Sequence, residues 1–149
     1  MKEKILAIDS DPFSLSVVKQ VLESAGYRVL TALDGESGLQ QFHKSEPDLI
    51  LLDIMLSEVD GWKLCRRIRA VSNVPIIIHT ALESPEHMLQ AIKVGANDYL
   101  VKPVTPEVIQ IHVDTLLKGC IQREQLLPTW LSYVSSPHPP ELESLPLSV

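Results

Sequence analysis

Residues 47–56 read Pro47-Asp48-Leu49-Ile50-Leu51-Leu52-Asp53-Ile54-Met55-Leu56. Four consecutive apolar residues, Leu49–Leu52, stop at a single acid. A strand with one solvated face alternates apolar and polar residues. A strand apolar at each position is covered on both faces, as in a parallel sheet with helices above and below. Pro75-Ile76-Ile77-Ile78-His79 repeats the pattern, and shorter runs stand at Ile5–Ile8, Arg28–Thr31 and Tyr99–Val101. Between the runs, apolar residues recur at spacings of three and four: Phe13, Val17, Val18, Val21 and Leu22; Leu64, Ile68 and Val71; Met88, Leu89, Ile92 and Val94. Strand and helix alternate, which predicts an α/β domain with right-handed crossovers.

Punctuation supports these boundaries. Asp11-Pro12 places an N-cap before a proline at the first helical position. Gly26 and Gly95 stand where helices should end. A last helix is predicted from Pro106 toward Leu126, through Val108, Ile109, Ile111, Val113, Leu116 and Leu117. From Pro128 to Val149 the composition changes to five prolines, five serines and no Lys or Arg. The expected division is a domain over residues 1–127 and a Pro/Ser-rich linker or tail over 128–149.

Composition narrows the function. The 149 residues carry 13 Lys and Arg against 19 Asp and Glu, a formal net charge of −6, with 45% hydrophobic residues. That excludes wholesale disorder and argues against nucleic-acid binding by this chain or attachment to an anionic membrane. The two cysteines, Cys65 and Cys120, do not form a secreted disulfide framework and read as reduced thiols. The apolar run after Lys4 is too short for a signal-peptide core or a membrane span, so a cytoplasmic location is expected.

In a parallel α/β sheet, ligands bind beyond the carboxyl ends of the strands. Those ends carry Asp9-Ser10-Asp11, Asp53, His79-Thr80-Ala81 and Lys102-Pro103. Carboxylates, one hydroxyl and one lysine therefore converge on one rim. No glycine-rich phosphate loop and no zinc-type cysteine and histidine cluster accompany them. Paired carboxylates suit a hard cation such as Mg²⁺. A carboxylate can also act as a nucleophile toward a phosphoryl group, with lysine and threonine holding the oxygens. The five histidines have no metal-ligand spacing and read as surface or packing residues. Lys63–Arg69 reads as a solvated helix face.

Five stretches, KILAIDSDP, AGYRVLTALDGESGL, PDLILLDIMLSEVDGW, VPIIIHTA and GANDYLVKPVTP, occur in an order and spacing that resemble the receiver domain of two-component response regulators. The resemblance runs from Lys4 to about Leu126. It implies a flavodoxin-like, doubly wound, five-stranded parallel sheet of order 2-1-3-4-5, flanked by five helices in three layers, like the chemotaxis regulators. It implies that Asp53 is the phosphoacceptor, supplied by a histidine kinase or phosphotransfer protein. It implies Mg²⁺ held by Asp9, Asp53 and the Met55 backbone carbonyl, with Lys102 and Thr80 binding the phosphoryl group. It further implies a cis Lys102-Pro103 bond and a Tyr99 that couples the site to a face made by the fourth helix, fifth strand and fifth helix. That face would control a partner or effector domain and is where a homodimer would form. The implied protein is a switch rather than an enzyme.

Two positions depart from the pattern. Ser10 stands where receivers carry a second metal-binding acid, which weakens the expected Mg²⁺ site. Asp11 is either a substitute ligand or the cap of the following helix. Ser57 replaces a frequent proline and should loosen its loop. Ser10 keeps open an alternative, a pseudo-receiver that binds proteins without phosphorylation. A phosphatase-type hydrolase with Asp9 as nucleophile fits Asp9-Ser10-Asp11 but leaves the DG, TA and KP pieces unexplained.

Overall fold

The computed structural model describes residues 2–56 and 60–118. The expected tail over 128–149, the continuation of the last helix to Leu126, Cys120 and Ser57 lie outside the described residues. Ten elements alternate: β1 (Lys4–Ile8), α1 (Pro12–Ser24), β2 (Arg28–Ala32), α2 (Gly35–Ser45), β3 (Leu49–Leu52), α3 (Gly61–Arg69), β4 (Ile76–Thr80), α4 (Pro85–Val94), β5 (Asp98–Val101) and α5 (Pro106–Leu117). The strands form one parallel sheet in the order β2-β1-β3-β4-β5. This is the flavodoxin-like sheet that the resemblance implied.

Side chains alternate across a strand, and here both directions are apolar. Leu6, Ile8, Ile50, Leu52, Ile76 and Ile78 point into one core with Phe42 of α2, Leu64 and Ile68 of α3, and Ala91 and Val94 of α4. Ile5, Ala7, Leu49, Leu51, Ile77 and Leu100 point into a second core with Leu15, Val18 and Leu22 of α1 and Ile109, Val113 and Leu116 of α5. Strands apolar at each position are therefore the direct consequence of helices on both faces.

The helix starts follow the sequence. Asp11, Asp34, Asp60, Ser84 and Thr105 each accept a backbone N–H as N-cap, and proline opens α1, α4 and α5. Gly95 ends α4 at φ 89°, a left-handed conformation suited to glycine. At Gly61 a Cβ would come within 2.5 Å of the Ile54 Cα, so glycine lets α3 start directly against the loop that follows Asp53.

Several faces differ from the expected ones. Phe13 is 76% exposed and Val71 67%, because the burying stripe of α1 runs through Leu15, Val18 and Leu22 and α3 has ended before Val71. Leu89 and Ile111 also face outward. Arg69 is not part of a solvated face. Its guanidinium folds inward to the carbonyls of Gly95 (2.9 Å), Val74 (2.7 Å) and Ser72 (2.9 Å) and to the Asn97 side chain (3.1 Å). It thereby fastens the end of α3 to the end of α4. No helix among the described residues is long and apolar enough to cross a membrane.

Candidate functional site

The registers Ile8↔Leu52 and Leu52↔Ile78 bring the chain beyond β1, β3 and β4 to one edge of the sheet. Asp9 and Asp53 stand next to each other there, both buried. The residue after β5, Lys102, reaches across with its Nζ 2.6 Å from Asp9 Oδ2 and 2.8 Å from Asp53 Oδ2. The other carboxylate oxygens are held by main chain. Asp9 Oδ1 accepts from the Asp11 N–H at 2.9 Å, and Asp53 Oδ1 accepts from the Met55 N–H at 2.9 Å. Burial alone would lower the Lys102 pKa. The hydrogen bonds and charges of Asp53 and Asp9 outweigh it, and the net shift is upward. The lysine stays charged and offsets two carboxylates that would otherwise repel.

The other residues singled out from the sequence lie around this centre as follows. Thr80 closes β4, fully buried, and its Oγ1 accepts the Leu82 N–H at 3.4 Å, a long bond. Tyr99 lies inward on β5, and its hydroxyl donates to the Leu82 carbonyl at 2.6 Å. Burial, and then the charge of Asp53, push the Tyr99 hydroxyl up to about 12. Lys102-Pro103 is a cis peptide bond. The Met55 carbonyl accepts the Ser10 hydroxyl at 3.3 Å. Asp11 takes the capping role: its Oδ1 accepts the Phe13 N–H at 3.0 Å. Among the described residues, no three His, Cys, Asp or Glu side chains gather into a group able to hold a metal ion.

A family model described as "Response regulator receiver domain" matches residues 5–114. The chain belongs to the response regulator receiver domain family. It is 38% identical over 117 residues to a protein named "Probable transcriptional regulator ycf27" of Guillardia theta, covering 78% of this chain and 46% of that protein. The chain thus spans about half the length of the curated relatives it matches. A crystal structure of a two-component response regulator from Clostridium difficile superposes with TM-score 0.76 at 35% identity, covering 78% of this chain and 96% of that one. The BeF3-activated receiver domain of DrrB, from Thermotoga maritima, gives 0.74 at 32%, covering 78% and 98%.

This receiver domain also contains groups that pattern reading passed over. His79 is 6% exposed and stands beside Asp53 in the adjacent strand. Burial and then the Lys102 charge push its ring down to about 4, against the pull of Asp9 and Asp53. His112 of α5 pairs with the buried Asp98 of β5. Its hydrogen bond to the Asp98 carboxylate raises its pKa, burial opposes this, and the net shift is upward. Sequence spacing alone marks both as packing or surface histidines. Only the sheet register shows that His79 adjoins an acid, and only the α5 docking angle brings His112 to Asp98. Cys65 is buried and forms no disulfide among the described residues, and burial raises its thiol to about 11.

Proposed function

We propose that this receiver domain is a phosphorylation-controlled switch with Asp53 as phosphoacceptor. The observation that supports this reading most is the Lys102 ammonium bridging Asp9 and Asp53 at 2.6 and 2.8 Å. It fixes Asp53 at a solvent rim with a cation already in place for the charge of an arriving phosphoryl group. An Asp53 carboxylate oxygen attacks phosphorus. A new P–O bond forms as the P–N bond of a phosphohistidine, or the P–O bond of a small acyl phosphate, breaks. The leaving group carries off its electron pair. Lys102 then follows the phosphoryl oxygens, and the Thr80 hydroxyl donates to one of them.

The donor set fits a hard cation. Asp9, Asp53 and the Met55 carbonyl are all oxygen ligands, and Mg²⁺ is commonly held by one or two carboxylates with several waters retained. When bound it supplies charge neutralisation between carboxylate and phosphoryl oxygens. With Ser10 in place of an acid, that site is weak. The output follows from the Tyr99 hydroxyl on the Leu82 carbonyl. A shift of Thr80 toward the phosphoryl group moves the 80–84 segment, and with it α4, β5 and α5. That face meets an effector domain or partner, and a histidine kinase or phosphotransfer protein is the donor. Residues 1–127 form the switch, and 128–149 a linker or tail.

A second reading keeps its own support. The Ser10 hydroxyl donates to Met55 O, the carbonyl that would face the cation. This favours a pseudo-receiver whose surface binds proteins without phosphorylation. Incubating the purified chain with phosphoramidate and Mg²⁺, followed by intact-mass measurement, separates the two. Gain of one phosphoryl group supports the switch. An unchanged mass beside a labelled control receiver supports the pseudo-receiver.

A further inference from the structure

The chain beyond β1, β3 and β4 lines up at the rim. Leu51 and Ile77 point into the core under α1 and α5, whereas Leu52 and Ile78 point to the opposite one. Alternation therefore sends Asp53 and His79 back toward α1, and the register Leu52↔Ile78 makes them neighbours in one row. Asp9 stands in the same row through Ile8↔Leu52. The preceding residues, Ile76–Ile78, are apolar and fully buried. The chain breaks that run with an imidazole at the position beside Asp53.

His79 as a residue is more than nine-tenths buried, yet its ring has no protein hydrogen-bond partner among the described residues. Buried polar groups are almost always paired with protein or ordered water, and each ring nitrogen, donor or acceptor, needs a partner. A cavity of about 10 Å³ lies against it, lined by Asp9, Asp53 and His79 on its polar side and by Leu15, Val18 and Leu51 on the other. That is about the space of one water, and the polar lining offers the two to four partners a buried water requires.

We infer that His79 is a positioning residue for the phosphoacceptor carboxylate, acting through one buried water held between its ring and the carboxylates of Asp53 and Asp9. The inference rests on the reading of Asp53 as phosphoacceptor. Asp53 is held from the rim by Lys102 and from its own loop by the Met55 N–H. The water holds it from beneath, on the side facing α1. With three supports the carboxylate has one orientation from which to attack. Without the third it samples others, and phosphoryl uptake slows.

The test has two parts. A high-resolution crystal structure of the unphosphorylated chain should show an ordered water within about 3 Å of a His79 ring nitrogen and of an Asp53 or Asp9 oxygen. A dry cavity, or a ring nitrogen bonded directly to a protein group, overturns the inference whatever Asp53 does chemically. In the second part, His79→Leu and His79→Gln are compared in phosphoramidate labelling. His79→Leu should lose about tenfold in the rate at saturating donor, with half-saturation unchanged, and His79→Gln should recover most of it. A folded His79→Leu with the wild-type rate shows that His79 merely packs. Should both variants fail to fold, the water in the wild-type crystal decides. Failure of wild-type labelling counts against the Asp53 reading and leaves the water test standing.

Discussion

The Ser10 hydroxyl donates to the main-chain carbonyl of Met55 at 3.3 Å, joining the end of β1 to the loop after β3. A short neutral side chain thus occupies the side of the site where an acid would add a charged oxygen. Replacing it should restore that charge. Ser10→Asp is expected to tighten Mg²⁺ binding by about tenfold or more, equivalent to about 1.4 kcal/mol. Calorimetric titration of both proteins measures it. Equal affinities would mean that Ser10 does not limit the site.

Tyr99 carries the second prediction. Its hydroxyl donates to the Leu82 carbonyl and pins the segment between β4 and α4. Tyr99→Phe keeps the ring and removes that donor, which should cost about 1 kcal/mol in urea unfolding. Hydrogen exchange should accelerate at the start of α4 and remain unchanged in α1. Uniform exchange across both helices would argue against a local link.

The Asp98–His112 pair makes stability depend on pH. The folded pKa of His112 is raised, chiefly by its hydrogen bond to Asp98. Its contribution is therefore full below the unfolded value near 6.5 and is lost as pH rises through the folded pKa. The urea midpoint should fall as pH is raised from about 6.5, and His112→Gln should flatten that slope. A slope unchanged in the variant would assign it to other groups.

Arg69 is the structural latch between α3 and α4. Its forked guanidinium serves the carbonyls of Ser72, Val74 and Gly95 at once. Arg69→Ala leaves those carbonyls without their donor, with an expected loss of about 2–4 kcal/mol. Arg69→Lys should recover little, since a single ammonium cannot reproduce the fork. Chemical denaturation of the two variants checks both statements.

Much of this molecule was legible in the sequence, for identifiable reasons. Leu49–Leu52 and Ile76–Ile78 declare burial on both faces. Asp11, Gly26 and Gly95 mark helix ends by local backbone chemistry that acts within a few residues. Asp9, Asp53, Thr80 and Lys102 could be placed on one rim because parallel strands put their carboxyl ends together. Phe13, Val71, Leu89 and Ile111 fit an apolar helical spacing yet face solvent, because spacing reports a possible face, not the one that docking selects. The α2 helix has only Leu39 and Phe42 as large apolar residues, with Gly35 and Gly38 among its buried positions; tight packing replaces large apolar side chains there, the Gly38 site lying against Ile8. Arg69 and His112 take their partners from residues 26 and 14 positions away in the chain, Gly95 and Asp98, and His79 adjoins Asp53 only through the sheet register; no local pattern encodes such relationships.

The central proposal is that Asp53 receives the phosphoryl group, and site mapping tests it most directly. The purified chain and its Asp53→Asn and Asp9→Asn variants are treated with phosphoramidate and Mg²⁺, digested, and analysed by peptide mass spectrometry. The expected result is a single phosphoryl group on the peptide containing Asp53, absent from Asp53→Asn and reduced in Asp9→Asn. A phosphoryl group on Asp9 that persists in Asp53→Asn would contradict it, as would an unlabelled wild-type chain beside a labelled control receiver.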